Sequence, residues 1–142
     1  MKRLLISSML SLTTFLAATG QTIEKTNQVT KKNTQMNTEI LKNAIVKKAI
    51  DALQTADKTT WYSLFTTVPE LYDDGHKMNF KTFFDKALGH ERFTSIDKIE
   101  NDGLDIYGKF HSDQWGDFKT YFRFHINTDN KIERLDIGQA SY

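Results

Sequence analysis

The chain has 142 residues, with 19 basic and 18 acidic side chains, ten phenylalanines, one proline and no cysteine. That length suits one ordinary domain, and the near balance of charge argues against nucleic acid or an anionic membrane as partner. Without cysteine there is no disulfide and no thiolate ligand, so stability rests on packing alone.

Lys2 and Arg3 precede an apolar stretch from Leu4 to Ala18, and Ala18-Thr19-Gly20 offers small residues for processing. The pattern reads as a signal peptide over residues 1–20, cleaved after Gly20, and predicts a periplasmic or secreted protein. The run is short and broken by Ser7, Ser8, Ser11, Thr13 and Thr14, which argues against an uncleaved anchor. Its only charges are Lys2 and Arg3, so cleavage leaves 17 basic residues against 18 acidic ones. Residues 21–37 are polar, lack an apolar period and read as a flexible leader, followed by one domain over residues 38–142.

Three helical blocks follow. Thr38 is placed to cap the first, and Leu41, Ala44, Ile45, Ala49, Ala52, Leu53 and Ala56 recur at three-to-four spacing. Asp57 caps a second, carrying Trp61, Leu64, Phe65 and Val68 and ended by Pro69. Asn79 caps a third, in which Phe80, Phe83, Phe84, Ala87 and Leu88 share a face and Gly89 closes the end. Between the second and third, Glu70 to Met78 allows a short edge strand around Leu71 and Tyr72, turning at Asp73-Asp74-Gly75.

The remainder alternates with period two. Phe93 to Glu100 reads as a strand, with Ile96 and Ile99 breaking strict alternation as a bulge would. From Leu104 to Ile137 two hairpins put Leu104, Ile106, Phe110, Phe118, Phe122, Phe124, Leu135 and Ile137 on one face. Asp105, Tyr107, Lys109, His111, Tyr121, Arg123, His125, Arg134 and Asp136 take the other. A five-residue loop, Asp113 to Asp117, sets Ile106 opposite Phe124 and Asp105 opposite His125. A turn at Asp129-Asn130 sets Phe124 opposite Leu135 and Arg123 opposite Asp136.

Helices followed by an antiparallel sheet with one apolar face define an α+β protein. The first helix, Ala56-Asp57 with Trp61 and Leu64-Phe65, then Leu71-Tyr72-Asp73-Asp74-Gly75, a Phe-rich helix and a meander closing on Ile132-Glu133-Arg134-Leu135-Asp136-Ile137, resemble the NTF2-like superfamily and its SnoaL-like branch. The resemblance covers residues 38–142 and rests on order and spacing. It implies a cone of three N-terminal helices packed on a curved antiparallel sheet, often with a cavity between. Superfamily members include isomerases, cyclases, dehydratases and noncatalytic binding domains, so fold alone does not choose an activity.

On this chain the implied cavity would be lined by Trp61, Phe65, Tyr72, Phe84, Leu88, Phe110, Phe118 and Phe122, suiting a small apolar ligand. The same side chains serve equally well as a filled core. Asp73 and Asp74 stand where some enzymes of the superfamily place a carboxylate base, with Tyr72 or Tyr62 as donor to an oxyanion. Asp-Asp-Gly is also ordinary turn composition, and parity shows no second inward carboxylate. Noncatalytic binding of an apolar ligand or partner protein is therefore the first expectation, and a SnoaL-like isomerase, cyclase or dehydratase the alternative. Asp105 beside His125 lies on the polar face, where cross-strand pairing is the simpler role. That face, with Tyr107, Tyr121, Arg123 and His125, also offers a homodimer surface. His76, His90, His111 and His125 show no metal-ligand spacing, and no phosphate loop is present, so neither metal nor cofactor is expected. Trp115, at a hairpin tip, either guards an opening or folds back on the sheet.

Overall fold

A computed structural model describes residues 36–142. The expected signal peptide and all of the expected leader before Met36 lie outside the described residues. Helix α1 spans Ala44–Thr55, α2 Lys58–Ser63 and α3 Phe80–Ala87. The strands are β1 (Phe65–Asp73), β2 (His76–Met78), β3 (Glu91–Glu100), β4 (Asp105–Ser112), β5 (Gly116–Ile126) and β6 (Ile132–Gln139). They form one six-stranded sheet in the order β2-β1-β6-β5-β4-β3.

Caps fix the helix starts. Asn43 Oδ1 accepts from the backbone N–H groups of Ile45 and Val46 at 3.0 and 3.1 Å, satisfying two of the donors that a helix start leaves free. The expected start at Thr38 is therefore too early: its hydroxyl instead donates to Asp51 Oδ1 at 2.6 Å, tying the preceding turn to α1. The other two caps are as expected. Asp57 Oδ1 accepts from Thr60 N at 3.0 Å and Asn79 Oδ1 from Thr82 N at 2.9 Å. Gly89, at φ +91°, carries the chain out of α3.

The second helix is shorter than its spacing suggested. Phe65 leaves it and begins β1, while Val68 is 85% exposed rather than on a buried stripe. Thr66-Thr67-Val68 before Pro69 is β-branched, and the residue before proline disfavours helix. Extended, the segment runs parallel to β6, with Leu71 beside Leu135 and Asp73 beside Ile137. The sheet is thus mixed, not antiparallel throughout, and α3 falls between β2 and β3 instead of preceding every strand. The strand allowed around Leu71 is longer than expected and internal; β2 takes the edge.

In the β4–β5 hairpin Ile106 faces Phe122, Tyr107 faces Tyr121 and Asp105 faces Arg123. Pairing is displaced by two residues from the expected register, because the loop holds only Asp113, Gln114 and Trp115, with Gly116 at φ +76°. A shift of two preserves parity, so every side chain keeps its face. The β5–β6 pairs Phe124–Leu135 and Arg123–Asp136 match expectation. Strand β3 carries two register breaks, between Phe93 and Ser95 and between Ile96 and Lys98, and these bend it around the core. That core joins Val46, Ile50 and Leu53 of α1 with Trp61, Phe84, Leu71, Phe93, Ile106, Phe122, Phe124 and Leu135.

Candidate functional site

One end of the apolar sheet face stays open. A cavity of about 460 Å³ lies there, floored by Phe110, Phe118, Phe122 and Ile137, with Phe83 of α3 above and Trp115 at its mouth. Its polar rim is Asp73, Asp74, Glu91, Asp117, Thr120 and Gln139. Beside it a second cleft of about 600 Å³, lined among others by Met78, Thr82, Lys86, His90 and Asp113, shares Phe83, Glu91 and Trp115 as a common wall.

The register explains this composition. Asp73 follows Leu71 at a spacing of two and sits beside Ile137 of β6, so it points to the inner face. Glu91 shares parity with buried Phe93 and pairs with Ser112, which places it inward at the opposite side of the sheet. The Ser112 hydroxyl donates to Glu91 Oε1 at 3.1 Å and accepts from the backbone N–H groups of Gln114 and Trp115, both at 3.3 Å. One buried serine therefore links the carboxylate to the hairpin tip. His111 Nδ1 lies 2.6 Å from Asp117 Oδ1, and His90 Nδ1 lies 3.0 Å from Asp113 Oδ2, fastening the tip further. Trp115 itself is 72% exposed and does not fold back.

The carboxylates differ in environment. Burial, and then the adjacent Asp74 charge, raise the Asp73 carboxyl above the ordinary aspartate range, while His76 acts the other way. Glu91 is raised by burial and by the charges of Asp73 and Asp113, against the Ser112 hydrogen bond. Asp74 is tied to structure: its Oδ1 accepts from Gln139 N at 3.0 Å, and its own N–H donates to Ile137 O at 2.9 Å. Among the described residues Asp73 accepts no hydrogen bond from a side chain or cap, which leaves its oxygens to the cavity.

The residues expected to line a pocket divide. Phe110, Phe118 and Phe122 line the cavity with Asp73 and Asp74. Trp61, Phe84 and Leu88 are buried in the filled part of the core, Trp61 packing on Phe65 and Phe84 at centroid distances of 5.0 and 4.6 Å. Phe65 borders a separate surface cleft with Tyr62. Tyr72 lies on the outer face, where the Arg134 guanidinium stacks 4.2 Å from its ring centre. The Tyr62 hydroxyl donates to Asp85 at 2.7 Å. Neither tyrosine stands across the cavity from Asp73. Phe83, Glu91, Asp117, Thr120, Ile137 and Gln139 line the cavity beyond the residues expected there, and for Glu91 the spacing of two from Phe93 is the signal in the sequence.

On the outer face the two-residue displacement separates Asp105 from His125. His125 Nε2 instead lies 2.7 Å from Asp136 Oδ2, and Arg134 closes on the same carboxylate at 2.9 Å. Arg123 stacks on Tyr121 at 4.4 Å and donates to the Tyr107 hydroxyl at 3.3 Å. Among the described residues, no group of three or more His, Asp or Glu side chains has the geometry to hold a metal ion.

No protein-family model matches the chain, and no curated protein matches it in sequence. Solved structures do share its fold. An NTF2-like protein of unknown function from Cytophaga hutchinsonii superimposes with a TM-score of 0.56 at 14% identity, over 76% of this chain and 94% of that one. A SnoaL-like protein of unknown function from Burkholderia thailandensis gives 0.53 at 12%, over 71% and 98%. The orange carotenoid protein of Anabaena (Nostoc), in a structure binding canthaxanthin, gives 0.57 at 18% identity; 70% of this chain aligns, spanning only 36% of that protein. Such identities carry the architecture alone, and the architecture is that of the NTF2-like fold.

Proposed function

We propose, from the NTF2-like fold and the cavity just described, that the protein binds a small molecule with an apolar body. The observation that carries this reading is the 460 Å³ space floored by three phenylalanines and Ile137, a volume within the range of small-molecule sites. A neighbour that binds canthaxanthin supports the capacity of such a fold to hold an apolar ligand. Titration with the neutral fluorophore Nile red is expected to saturate at one site per chain. Phe118→Trp, which fills the cavity from its floor, should abolish that site while leaving the circular dichroism spectrum intact. Equal binding by both proteins would refute the reading.

A second reading is favoured by the raised Asp73 carboxyl, which is poised to abstract a proton next to a carbonyl. Tyr72 and Tyr62 face elsewhere, so Glu91, protonated over a wider pH range than an ordinary glutamate, is the available donor to the resulting oxyanion. Isomerase or dehydratase turnover that vanishes in Asp73→Asn would select this reading over simple binding. Residues 1–20 support export to the periplasm or exterior, and an intact mass beginning at Gln21 would test it. The outer face around Tyr107, Tyr121, Arg123 and His125 is the proposed contact for a second copy of the chain.

A further inference from the structure

The charge around the cavity selects among apolar ligands. Four carboxylates reach its wall from four places in the chain: Asp73 from β1, Asp74 from the turn after it, Glu91 from β3 and Asp117 from β5. The wall contains no lysine, arginine or histidine. Among the described residues Asp117 alone of the four has a basic side chain within ion-pair distance, His111 Nδ1 at 2.6 Å, while His76 and His90 act on Asp73 and Glu91 from farther away. The carboxylates form no cluster on one loop; they ring an apolar, aromatic floor with the exposed indole of Trp115 at the entrance.

We infer that the ligand of this cavity is a cation with an apolar body, such as an aryl- or alkylammonium compound, whose charged end meets Asp73 and Glu91 while its body lies on Phe110, Phe118 and Phe122. This rests on the binding reading above and narrows it to a chemical class. An acid of the same shape brings like charge to a rim already negative, where the partly dry setting weakens screening. A cation gains from both carboxylates, and the indole face at the mouth adds cation–π attraction as it enters. The raised Asp73 and Glu91 carboxyls agree with this geometry: burial raises both, the Asp74 charge adds to it at Asp73, and the Asp73 and Asp113 charges add to it at Glu91.

Three probes that share one body separate the two levels of the argument: 4-phenylbutylamine, 4-phenylbutanol and 4-phenylbutyrate, titrated calorimetrically at pH 7 in low salt. The amine is expected to bind about tenfold more tightly than the alcohol, and the acid about tenfold more weakly, as one charge pair at partly screened range implies. The amine's advantage should shrink as salt rises. It should also shrink as pH falls and the carboxylates take up protons, beginning above their ordinary values because both are raised. In the Asp73→Asn, Glu91→Gln double variant the amine-to-alcohol ratio should fall toward one. If all three bind alike, or the acid binds best, the charge inference fails while cavity binding stands. If neither the alcohol nor the amine binds, both fail.

Discussion

Gly108 is the position where one methyl group tests how the sheet bends. It sits in β4 opposite Ile96 of β3 and Thr120 of β5, between the two register breaks of β3. A Cβ built there would collide with the Ser95 carbonyl oxygen and stand only 3.0 Å from Phe93 Cδ1 and 3.1 Å from the Ser95 carbonyl carbon. Two of these neighbours are backbone atoms, so relief requires β3 to withdraw. Overpacking of this kind costs about 1–3 kcal/mol. Each ladder hydrogen bond stretched or lost adds about 0.5–1.5 kcal/mol, and the stiffer unfolded chain of an alanine variant adds about 0.4–1 kcal/mol to the stable side. With one ladder bond lost, Gly108→Ala should therefore lose about 0.5–4 kcal/mol, out of the roughly 5–15 kcal/mol that holds a domain folded. Gly116→Ala is the control: an added Cβ meets nothing within 4 Å, and the cost is the positive φ alone, about 1 kcal/mol. Urea unfolding of both variants, at unchanged denaturant slope, measures the difference. If Gly108→Ala proves no more costly than Gly116→Ala, the close approach of β3 and β4 is not what shapes this sheet.

Asn43→Ala should destabilise the protein by about 0.5–2 kcal/mol, since it frees the two amides its side chain caps, and thermal unfolding would register a lower midpoint. Asp73→Asn should have the opposite effect at neutral pH. A carboxyl raised by burial favours the fold while protonated and loses that contribution as pH rises from the ordinary aspartate value of 3.8 through its folded value. The variant's advantage should thus be present at pH 7 and vanish below pH 3.8 in paired denaturation curves. If the proposed outer-face contact joins two copies, charge reversal at Arg123, which stacks on Tyr121, should yield monomers in sedimentation; a monomeric parent protein or an unchanged dimer mass would refute that contact.

What could be read in the residues was what parity and caps decide locally. Ile106, Phe110, Phe122, Phe124, Leu135 and Ile137 all face the core because alternation survives any even displacement of register. The displacement itself depended on whether Asp117 belonged to loop or strand, and its pairing with His111 draws it into β5. Trp61, Leu64, Phe65 and Val68 imitate a helical stripe, against which the β-branched run before Pro69 is a weak local signal, and the distant partner Ile132 fixes Phe65 as strand. The cavity was half legible for the same reason. Phe110, Phe118 and Phe122 follow from strand parity, whereas the separation of Trp61 and Phe84 from the open end depends on how deeply α2 and α3 pack. Glu91 was legible in principle, two residues before Phe93, but lay outside the strand limits assigned to that segment.

The parallel pairing of β1 with β6 imposes an order on folding. Strands β3 to β6 form a meander from neighbours in sequence, with little chain entropy to overcome at each step. The β1–β2 hairpin has no such neighbour: its one long partner is the last strand, more than 60 residues away in sequence, so its docking closes the largest loop in the sheet. Asp73 and Asp74 join Glu91 and Asp117 only at that docking. The cavity is therefore closed by the strand pairing of longest sequence separation in the sheet, and a ligand bound there would stabilise that seam by mass action.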